Sequence, residues 1–510
     1  MTVVAVDPAL EFLTAEQVVA AGTTQSRIFL EAAPGSGKTT VAAQRFGAQR
    51  YRYAPLAGSR SDQRAVLAAS FTRSATWELN GRVRQSWGPS SLTRLHRIVT
   101  LDTVVANLLT FLLVRGLLHW PGGHTSLDIH DSWKVLVRHA NMRTVRRLAL
   151  SGNNVQVTTS YAENYAMRPE PVPFAEAVNV GRCTHEDVRR VLEQALRRDD
   201  IADAVTRHLA VTTRALIVDE VFDANELDIK VIELAARAGL DITLIGDPWQ
   251  ALYGFRGARP DLVPALLSRM SMTQLKLTKS FRWRTDEQQE LATALRDGHG
   301  VMLPQLQAAD IRTSGADVLL TSMWNDLWEA SPMVLPLAWG SAKGNNVEAA
   351  TTLILNQVTG TVLGHRATYL GDALATLGIT DETAVERLEP SLQRVLDLIA
   401  HATTRSKLNS AYDALIAAIR QESPREFPKA HANYTKRLER LRLRLTAGGQ
   451  VIPGMTVHQA KGREWNVVAV RLSENEATQL ADGLSMTEEK HRQLYVACTR
   501  ARERTIRLVL

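Results

Sequence analysis

The stretch RIFLEAAPGSGKTT, residues 27–40, restricts the fold of this chain more than any other part of the sequence. Residues 28–30 have the apolar character of a buried strand, and the residues from Lys38 onward have the pattern of a helix. Glycines between them allow a tight loop whose backbone N–H groups can surround phosphate oxygens, and the helix N-terminus adds a favourable dipole. We therefore predict a phosphate-binding loop between a strand and a helix, with contacts from Ala33, Pro34, Gly35, Ser36, Gly37, Lys38, Thr39 and Thr40.

A second apolar run, residues 215–218, ends on two adjacent acids, Asp219 and Glu220. A strand in a parallel sheet is covered on both faces, so it is expected to be continuously apolar, and ligands bind beyond its carboxyl end. With ATP in the phosphate loop, Lys38 would reach the β- and γ-phosphates, while Thr39 and Asp219 would hold Mg²⁺. Glu220 would polarise the attacking water. The two stretches together predict an α/β enzyme that hydrolyses ATP with Mg²⁺.

Size and composition indicate a globular protein of several folding units, because 510 residues are too many for one ordinary core. Hydrophobic residues make up 45% and charged residues 22%, and the net charge of +7 is compatible with a polyanionic partner. Cys183 and Cys498, the only cysteines, are too few for a disulfide framework and suit a reducing compartment. Residues 1–12 do not have the pattern of a signal peptide, so we expect a cytoplasmic protein with no membrane partner.

Further motifs occur in an order that is typical of one protein family. They are LTAEQ (13–17), SFTRSATWEL (70–79), TLDTVVANLL (100–109), LIGDPWQALYGFRGA (244–258), LTKSFRW (277–283), TVHQAKGREW (456–465) and RQLYVACTRA (492–501). With these motifs the chain resembles the UvrD/Rep-like superfamily 1 DNA helicases, and the resemblance spans nearly the whole chain. The chain departs from the family pattern at Ala32, where the phosphate loop usually has a glycine. Its second insertion is also much shorter than in full-length relatives.

The resemblance implies two RecA-like parallel-sheet motor domains of the P-loop NTPase type, each interrupted by a helical insertion. The apolar spacing of the second insertion predicts three helices, and residues 361–379 are expected to supply a strand and a helix of the second motor. The expected boundaries are 1–103 and 211–272 for motor domain 1A, 104–210 for the mostly helical insertion 1B, 273–378 and 449–510 for motor domain 2A, and 379–448 for the reduced helical insertion 2B.

The resemblance also implies a role in ATP hydrolysis for residues outside the phosphate loop. Arg282 and Arg500 correspond to two arginine fingers, both expected from the second motor domain, and their charge would stabilise the transition state at the γ-phosphate. For Phe281, core packing remains the alternative to a contact with the base, and for Glu464, a solvated acid remains the alternative to a contact with the ribose. The remaining implied contacts are with the adenine edge for Gln17, with the γ-phosphate for Gln250, with the face of the base for Phe281 and with the ribose for Glu464.

The segment YGFRG, residues 253–257, places two aromatic side chains and a cation in a loop bounded by glycines. Aromatic rings next to a cation suit single-stranded DNA, because every base offers a π-face and stacking tolerates any base sequence. The resemblance makes Phe255 the main stacking residue, whereas Phe71 would be assigned to the core without it. The predicted DNA contacts are Phe71, Arg73, Asp102, Tyr253, Phe255, Arg256 and His458.

The function implied by the resemblance is that of an ATP-dependent DNA translocase or helicase, moving 3′→5′ on single-stranded DNA or a tailed duplex. Its pathway would be DNA repair, recombination or anti-phage defence. The short second insertion somewhat favours an alternative, a DNA-sensing NTPase that signals to a partner nuclease without unwinding. A third hypothesis is an inactive NTPase fold that serves only as a binding scaffold, and the nearly intact motifs argue against it.

Phe222 departs from the family at a position where most relatives have glutamine. In those relatives the glutamine links the nucleotide site to neighbouring motifs by hydrogen bonds, and phenylalanine has neither a donor nor an acceptor. We therefore predict that Phe222 packs against the apolar surface that faces the other domain. The chemistry of hydrolysis would be retained, while its coupling to DNA would be altered.

Overall fold

The computed structural model describes residues 13–52, 62–93, 95–340, 345–379, 381, 383–428 and 432–509. Residues 1–12, on which the expectation about a signal peptide depends, lie outside this part of the chain. The chain divides into two compact units, Met1–Arg282 and Trp283–Leu510.

The first unit alternates strands and helices, as a doubly wound fold requires. Its strands are β1 (Arg27–Ala32), β2 (Ala65–Ser70), β3 (Arg97–Thr100), β4 (Asp128–His130), β5 (His139–Ser151), β6 (Asn154–Pro169), β7 (Arg182–Thr184), β8 (Thr213–Val218), β9 (Asp241–Gly246) and β10 (Thr273–Leu277). Its helices are α1 (Ala15–Gly22), α2 (Lys38–Arg52), α3 (Arg73–Trp87), α4 (Leu101–Val114), α5 (Trp133–Leu136), α6 (Pro171–Asn179), α7 (His185–Ala195), α8 (Asp199–Thr212), α9 (Glu226–Arg237) and α10 (Val263–Arg269).

The main sheet of the first unit has the strand order β10-β1-β9-β8-β2-β3, and all of its neighbouring strands are parallel. Strands β2 and β8 are buried at every position, which explains their continuous apolar runs. The predicted fold class, an α/β fold with parallel sheets, is confirmed. Because every strand of this sheet points the same way, the loops after β1, β8 and β9 emerge at one edge.

The segment 104–210 differs from the mostly helical insertion that the sequence pattern predicted. Strands β5 and β6 form a long antiparallel hairpin around a turn at Gly152, where φ is +58°. The prediction was wrong because these strands bury only part of one face, so their apolar residues do not alternate along the whole length. Helices α4, α6, α7 and α8 make up much of the remainder and pack into the core of the first unit.

The second unit contains another parallel sheet, in the order β11-β16-β15-β12-β14-β13. Its strands are β11 (Gln305–Gln307), β12 (Val318–Thr321), β13 (Val334–Pro336), β14 (Ile452–Thr456), β15 (Trp465–Arg471) and β16 (Ala501–Val509). Its helices are α11 (Asp286–Arg296), α12 (Trp324–Ala330), α13 (Asn346–Leu363), α14 (Leu370–Leu377), α15 (Ala384–Ala400), α16 (Arg405–Ile419), α17 (Ala432–Leu445), α18 (Val457–Ala460), α19 (Glu474–Asp482) and α20 (Glu489–Cys498).

Helices α15, α16 and α17 occupy the segment 379–448 and share a core with α13 and α14. The strand expected in 361–379 is absent from the described structure, because residues 361–363 complete α13 and Gly364 ends that helix with a φ of +68°. Two arginines of α17 face inward rather than into solvent. Arg444 donates to the Trp328 and Val334 carbonyls, and Arg437 lies over the Trp339 ring at 5.8 Å.

The boundary between the units also differs from the expected one at residue 272. Strand β10 pairs in parallel with β1 of the first sheet, and the first unit extends to Arg282. Motif order placed this strand with the residues that follow it, but its hydrogen bonds join it to the strand of the phosphate loop. Within the part of the chain that the structure describes, no helix is long and apolar enough to span a membrane.

Candidate nucleotide and DNA site

The predicted ATP-binding residues of the first unit collect at the carboxyl edge of its sheet. The phosphate loop follows β1, the acidic pair follows β8, and Gln250 follows β9, which lies between those two strands. Ligands of open α/β sheets bind at this edge. The parallel pairing therefore explains how segments that are almost two hundred residues apart in sequence come to one place.

The phosphate loop has the left-handed backbone that its glycines permit, with φ of +73° at Gly35 and +84° at Gly37. A Cβ at Gly37 would lie 2.6 Å from Nε2 of Gln17 and would displace that amide, and the positive φ itself disfavours any side chain here. The Ser36 hydroxyl donates to the Ala33 carbonyl at 2.7 Å and closes the loop on itself. Helix α2 begins directly at Lys38, so its first N–H groups point towards the loop.

Lys38 and Glu220 meet at this edge, with 3.6 Å between Nζ and Oε1. The Lys38 ammonium is buried and makes no hydrogen bond within the described residues. Glu220 has a φ of +60° and a ψ of +43°, a left-handed conformation that is uncommon for a residue other than glycine. Backbone strain of this kind concentrates at functional sites, where it fixes the direction of a side chain.

Asp219 is buried beside this pair at the end of β8. Its backbone N–H donates to the Ala69 carbonyl at 2.9 Å, and its Oδ1 accepts from the Glu220 N–H at 3.0 Å. The first hydrogen bond fixes the main chain of Asp219 beside β2, and the second fixes its carboxylate. Phe222, three residues after Asp219, is also buried, with its ring edge-on to Phe29 at 6.0 Å and against Gly246 of β9.

Gln250 is held by Asp247, an acid that was not among the predicted site residues. The Gln250 amide donates to Oδ2 of Asp247 at 2.7 Å, and the Trp249 N–H donates to Oδ1 at 3.2 Å. Both Gln250 and Asp247 are buried. The acid therefore positions the amide at the end of β9.

Gln17, in helix α1, is hydrogen-bonded to the phosphate loop. The Gln17 amide donates to the Ser36 carbonyl at 3.0 Å, and its Oε1 accepts from the Thr14 N–H in a capping box. Glu16, the preceding residue, accepts from the backbone N–H and the hydroxyl of Thr278. These hydrogen bonds, the backbone one first, lower the pKa of Glu16.

The segment after β10 folds back over the phosphate loop. The Ser280 hydroxyl donates to the Pro34 carbonyl at 2.8 Å, and the Phe281 N–H donates to the Gly35 carbonyl at 2.9 Å. A Cβ at Gly35 would lie 2.5 Å from Cβ of Arg282. Arg282 was expected from the second motor domain, but these contacts place it with the first unit. The Phe281 ring is half-exposed and lies 5.3 Å from Nζ of Lys279.

Three predicted site residues lie in the second unit. Arg500 is fully buried, and its Nε donates to the Val496 carbonyl at 3.1 Å. Glu464 accepts from Nε and Nη2 of Arg502 at 3.1 and 2.6 Å. His458 lies in the short helix α18, which follows β14. Like the phosphate loop in the first unit, this histidine stands beyond the carboxyl end of a parallel strand.

The predicted DNA contacts at 253–257 form one cluster. The Arg256 guanidinium lies over both rings, 5.3 Å from the centroid of Tyr253 and 5.6 Å from that of Phe255. The two ring centroids are 6.0 Å apart, and Phe255 is 64% exposed. This is an arrangement in which an accessible aromatic face stands next to a positive charge.

The other predicted DNA contacts of the first unit have different surroundings. Phe71 is only partly buried and packs on the core of the unit. Arg73 is exposed and pairs with Asp131 at 2.9 Å. Asp102 accepts from Nε of Arg189 at 2.5 Å, and the same arginine pairs with Asp228, so Arg189 of α7 joins α4 and α9 through these two acids.

The residues at this site are suited to bind a nucleoside triphosphate together with a divalent cation. The phosphate loop offers N–H groups and a buried ammonium, and both of its glycines have the positive φ that disfavours side chains. A carboxylate and a hydroxyl, the oxygen ligands that Mg²⁺ prefers, are present in Asp219 and Thr39. Further polar residues of the site, not among the predicted ones, are Glu16, Asp247, Thr278 and Ser280; their signal in the sequence is that each lies inside one of the ordered motifs, within three residues of a predicted site residue.

Two family descriptions match the chain. The AAA domain matches residues 15–256, and the UvrD-like helicase C-terminal domain matches residues 354–507. The chain belongs to the UvrD-like helicases. The family resemblance predicted from the ordered motifs is thereby confirmed. The first match contains the phosphate loop, the acidic pair and the Tyr253 cluster, and the second contains His458, Glu464 and Arg500 of this UvrD-like chain.

Individual relatives agree with the family assignment. DNA helicase II of Escherichia coli is 22% identical over 349 residues, covering 63% of this chain and 45% of the relative. DNA helicase II of Salmonella typhimurium is 20% identical over 346 residues, with the same two shares. A stretch of 106 residues is 34% identical to RecBCD enzyme subunit RecB of Mycobacterium tuberculosis, or 20% of this chain and 9% of that protein. The chain thus spans less than half the length of these relatives.

Proposed function

We propose that this UvrD-like chain hydrolyses ATP and uses the energy to move along single-stranded DNA. The observation that carries the proposal is the buried Lys38 ammonium, 3.6 Å from Glu220 at the end of a glycine-bounded phosphate loop. A buried ammonium without a hydrogen bond is unfavourable on its own, and the phosphates of ATP would supply its acceptors. The matching relatives named DNA helicase II support the nucleic-acid substrate.

The residues of the first unit have separable roles in this reaction. Lys38 and the loop N–H groups bind the phosphates, and Glu220 accepts a proton from the attacking water. Asp219 and Thr39 would hold Mg²⁺, which supplies charge neutralisation at the phosphates when it is bound. Gln250, fixed by Asp247, is available to hydrogen-bond the terminal phosphate or the water.

Arg282, Arg500, Gln17, Phe281 and Glu464 complete the proposal for the nucleotide. The two arginines would stabilise the charge of the transition state, and the other three would contact the base and the ribose. The proposed domain layout keeps insertion 1B at 104–210 and insertion 2B at 379–448. It places the boundary between the motors after Arg282, as the pairing of β10 with β1 favours.

The proposed DNA contacts include the cluster of Tyr253, Phe255 and Arg256, where bases would stack on the exposed Phe255 ring. Phe71, Arg73 and His458 are proposed as further contacts. Asp102 has a smaller part, because its carboxylate is already paired with Arg189. An acid held in this way can position α4 at the DNA without touching a phosphate.

The test of the enzymatic proposal is the ATPase rate of wild type and of Lys38→Ala, with and without single-stranded DNA. We expect Lys38→Ala to abolish turnover and to keep DNA binding, because the DNA contacts do not include this residue. Lys230→Ala, on the exposed face of α9, is the matched control and should behave as wild type. Substantial turnover by Lys38→Ala would refute the assignment of the site.

Movement and unwinding are tested with forked and tailed duplexes. We propose 3′→5′ movement, so a 3′ tail should support unwinding and a 5′ tail alone should not. DNA-stimulated ATPase without strand separation would favour the alternative, an NTPase that signals to a partner nuclease. The similarity to RecB, a subunit of a larger enzyme, is compatible with such a partner. A nuclease encoded next to this chain would favour recombination or anti-phage defence over solitary repair.

A further inference from the structure

Arg259 lies two residues after the YGFRG segment and was not among the predicted site residues. It makes contacts between two loops at the carboxyl edge of the first sheet, both of them within the first unit. The first is the acid loop, residues 219–224, which follows β8 and contains Glu220. The second is the cluster turn, residues 253–258, which comes after β9 and contains Phe255. Arg259 therefore connects the proposed ATP site with the proposed DNA contacts.

The acid loop is a compact turn closed by its own hydrogen bonds. The Glu220 N–H donates to Oδ1 of Asp219 at 3.0 Å, and the Asp223 N–H donates to the Glu220 carbonyl at 2.8 Å. The Ala224 N–H donates to the Val221 carbonyl at 3.1 Å, and both of these side chains are fully buried. A displacement of Glu220 is therefore transmitted to the end of the loop at Ala224.

The cluster turn is closed in the same manner. The N–H groups of Arg256 and Ala258 both donate to the Tyr253 carbonyl, at 2.9 and 3.2 Å. Gly257 has a φ of +84°, the left-handed backbone that so tight a turn requires. Ala258 is buried, so the chain leaves the turn at a fixed place and enters Arg259 directly.

Arg259 joins the two loops through its backbone and its side chain. Its N–H donates to the Ala224 carbonyl at 2.7 Å, and its Nη1 donates to Glu226, the first residue of α9. The other side of the guanidinium holds Asp261, with Nε 3.0 Å from Oδ1 and Nη2 2.8 Å from Oδ2. A planar fork held by two hydrogen bonds has a fixed direction, so its remaining edge points at Glu226.

The pairs of Arg259 contribute little to the stability of the fold. The side chains of Glu226 and Asp261 are 61% and 59% exposed, and ion pairs between exposed groups have small energies. The position of Arg259 between two loops is thus more informative than its energy. The Phe222 side chain, which is also in the acid loop, has no donor or acceptor and cannot supply a polar contact between them.

We propose that Arg259 and Glu226 are positioning residues that couple the ATP site to the aromatic cluster. The proposal rests on the proposed function, because it takes Tyr253, Phe255 and Arg256 to be DNA contacts. A shift of the acid loop on nucleotide binding is carried by Arg259 to the cluster turn and changes the direction of the Phe255 ring. Arg259 and Glu226 lie outside the phosphate loop and the acidic pair, so basal hydrolysis does not depend on them.

The experiment compares Glu226→Gln with Asp261→Asn in ATPase assays with and without single-stranded DNA. The two acids pair with the same arginine and are almost equally exposed, but Asp261 does not contact the acid loop and its asparagine keeps one acceptor. We expect Glu226→Gln to lower the ratio of DNA-stimulated to basal rate by about three- to thirty-fold, the effect of one position in a coupled network. Its basal rate, and both rates of Asp261→Asn, should stay within about two-fold of wild type. Unchanged stimulation in Glu226→Gln, or an equal loss in Asp261→Asn, would overturn the proposal.

A double-mutant cycle tests whether the two residues act as one connection. Arg259→Gln should lose as much DNA stimulation as Glu226→Gln, and the double variant should lose no more than either single one. Arg259→Lys keeps the charge without the planar fork and should retain part of the stimulation. Losses that multiply in the double variant would mean that the residues act independently, which contradicts the proposed connection.

Hydrogen exchange without DNA separates this inference from the proposed function. A non-hydrolysable ATP analogue should change the exchange of the amides of residues 256–258 in wild type but not in Glu226→Gln or Arg259→Gln. That result supports the connection even if DNA fails to stimulate the ATPase, a failure that would count against the motor alone. An analogue that leaves the wild-type amides unchanged would overturn the connection. Normal DNA stimulation and a wild-type exchange response in both variants would also overturn it, and would assign coupling to Gln250, which leads to the cluster along the chain.

Discussion

The two edges of the first sheet use buried charge in different ways. At the carboxyl edge, Lys38 faces Glu220 at a distance beyond hydrogen bonding, and Glu220 has a strained backbone. At the amino edge, Arg45 and Arg214 are buried, and each donates to several backbone carbonyls. The arginines have their acceptors as soon as the chain folds, whereas the ammonium of Lys38 has no hydrogen-bond acceptor among the residues that the structure describes.

Arg45 shows most clearly what the amino edge does. From α2 it donates to the Thr23 and Gln25 carbonyls after α1 and to the Thr243 hydroxyl of β9. Its guanidinium thus holds together three segments whose polar groups would otherwise be buried without partners. The comparison indicates that the amino edge stabilises the fold, while the carboxyl edge keeps its charged groups available for a ligand.

Glu220→Gln should give the largest effect and should affect activity far more than stability. The amide cannot accept a proton from the attacking water, so we expect the ATPase rate to fall by about 10²–10⁴-fold. The side chain is of equal size but loses the charge that faces Lys38, so the free energy of unfolding should fall by no more than about 1 kcal/mol. Steady-state ATPase assays and urea unfolding measure the two quantities on the same protein.

The matched control for this change is Glu287→Gln, at the exposed start of α11, which should alter neither quantity. ATP binding by the Glu220→Gln variant, followed with a fluorescent analogue, should remain. If this variant instead lost several kcal/mol of stability, Glu220 would belong to the fold as Arg45 does, and the contrast between the edges would fail.

Arg45→Met should have the opposite profile. Removing the guanidinium leaves buried carbonyls without donors, which we expect to lower the free energy of unfolding by about 3 kcal/mol. ATPase turnover per folded molecule should stay within about two-fold, because Arg45 lies at the far edge from the phosphate loop. Arg45→Lys keeps the charge without the planar fork and should lose an intermediate amount. A normal stability for Arg45→Met would contradict the role given to the amino edge.

The contrast also shows what the sequence could predict. The phosphate loop and its flanking strand and helix were predicted correctly because glycine spacing and apolar runs are local signals. The position of Ser280 over the loop and that of Asp247 beside Gln250 depend on which strands pair. No pattern within either segment contains that information.

Arg282 and the β5–β6 hairpin illustrate the same limit. Motif order placed Arg282 in the second motor, whereas the pairing of β10 with β1 fixes it in the first unit. The hairpin was missed because its bulge and its partly exposed faces interrupt the alternation that identifies a strand. Both outcomes were decided by contacts between distant segments rather than by local propensity.

Phe222→Gln tests whether the carboxyl edge also transmits the DNA signal. The structure buries Phe222 against Phe29 and Gly246 rather than on an open surface, so the amide would lose an aromatic contact and enter an apolar site. We expect about 1–3 kcal/mol less stability and a larger change in DNA stimulation than in basal ATPase. ATPase rates with and without DNA, measured well below the unfolding temperature, give the DNA stimulation and the basal activity.

Phe222→Leu is the control because it keeps an apolar side chain without adding hydrogen-bonding groups. It should retain both the basal rate and the stimulation by DNA at a small loss of stability. Equal changes in basal and stimulated rates for Phe222→Gln would mean that the residue only packs the core. In that case the functional part of the carboxyl edge would end at Glu220.

His96 should give the smallest effect, a pH dependence that arises at the amino edge. Burial, followed by the charges of Arg214 and Arg50, lowers the pKa of His96 to about 4, and its Nδ1 accepts from the Val66 N–H at 3.0 Å. Below the ordinary histidine pKa of about 6.5, His96 binds a proton in the unfolded chain but stays neutral in the folded one. Its contribution to the free energy of unfolding is therefore complete above that pH and is lost progressively towards pH 4. Since the ring is partly solvated, we expect the free energy of unfolding to fall by about 1–2 kcal/mol over this range.

His96→Asn keeps a neutral acceptor, so the unfolding free energy of this variant should vary less between about pH 7.5 and about pH 5 than that of wild type. The same pH dependence in both proteins would remove His96 from the groups that stabilise this edge.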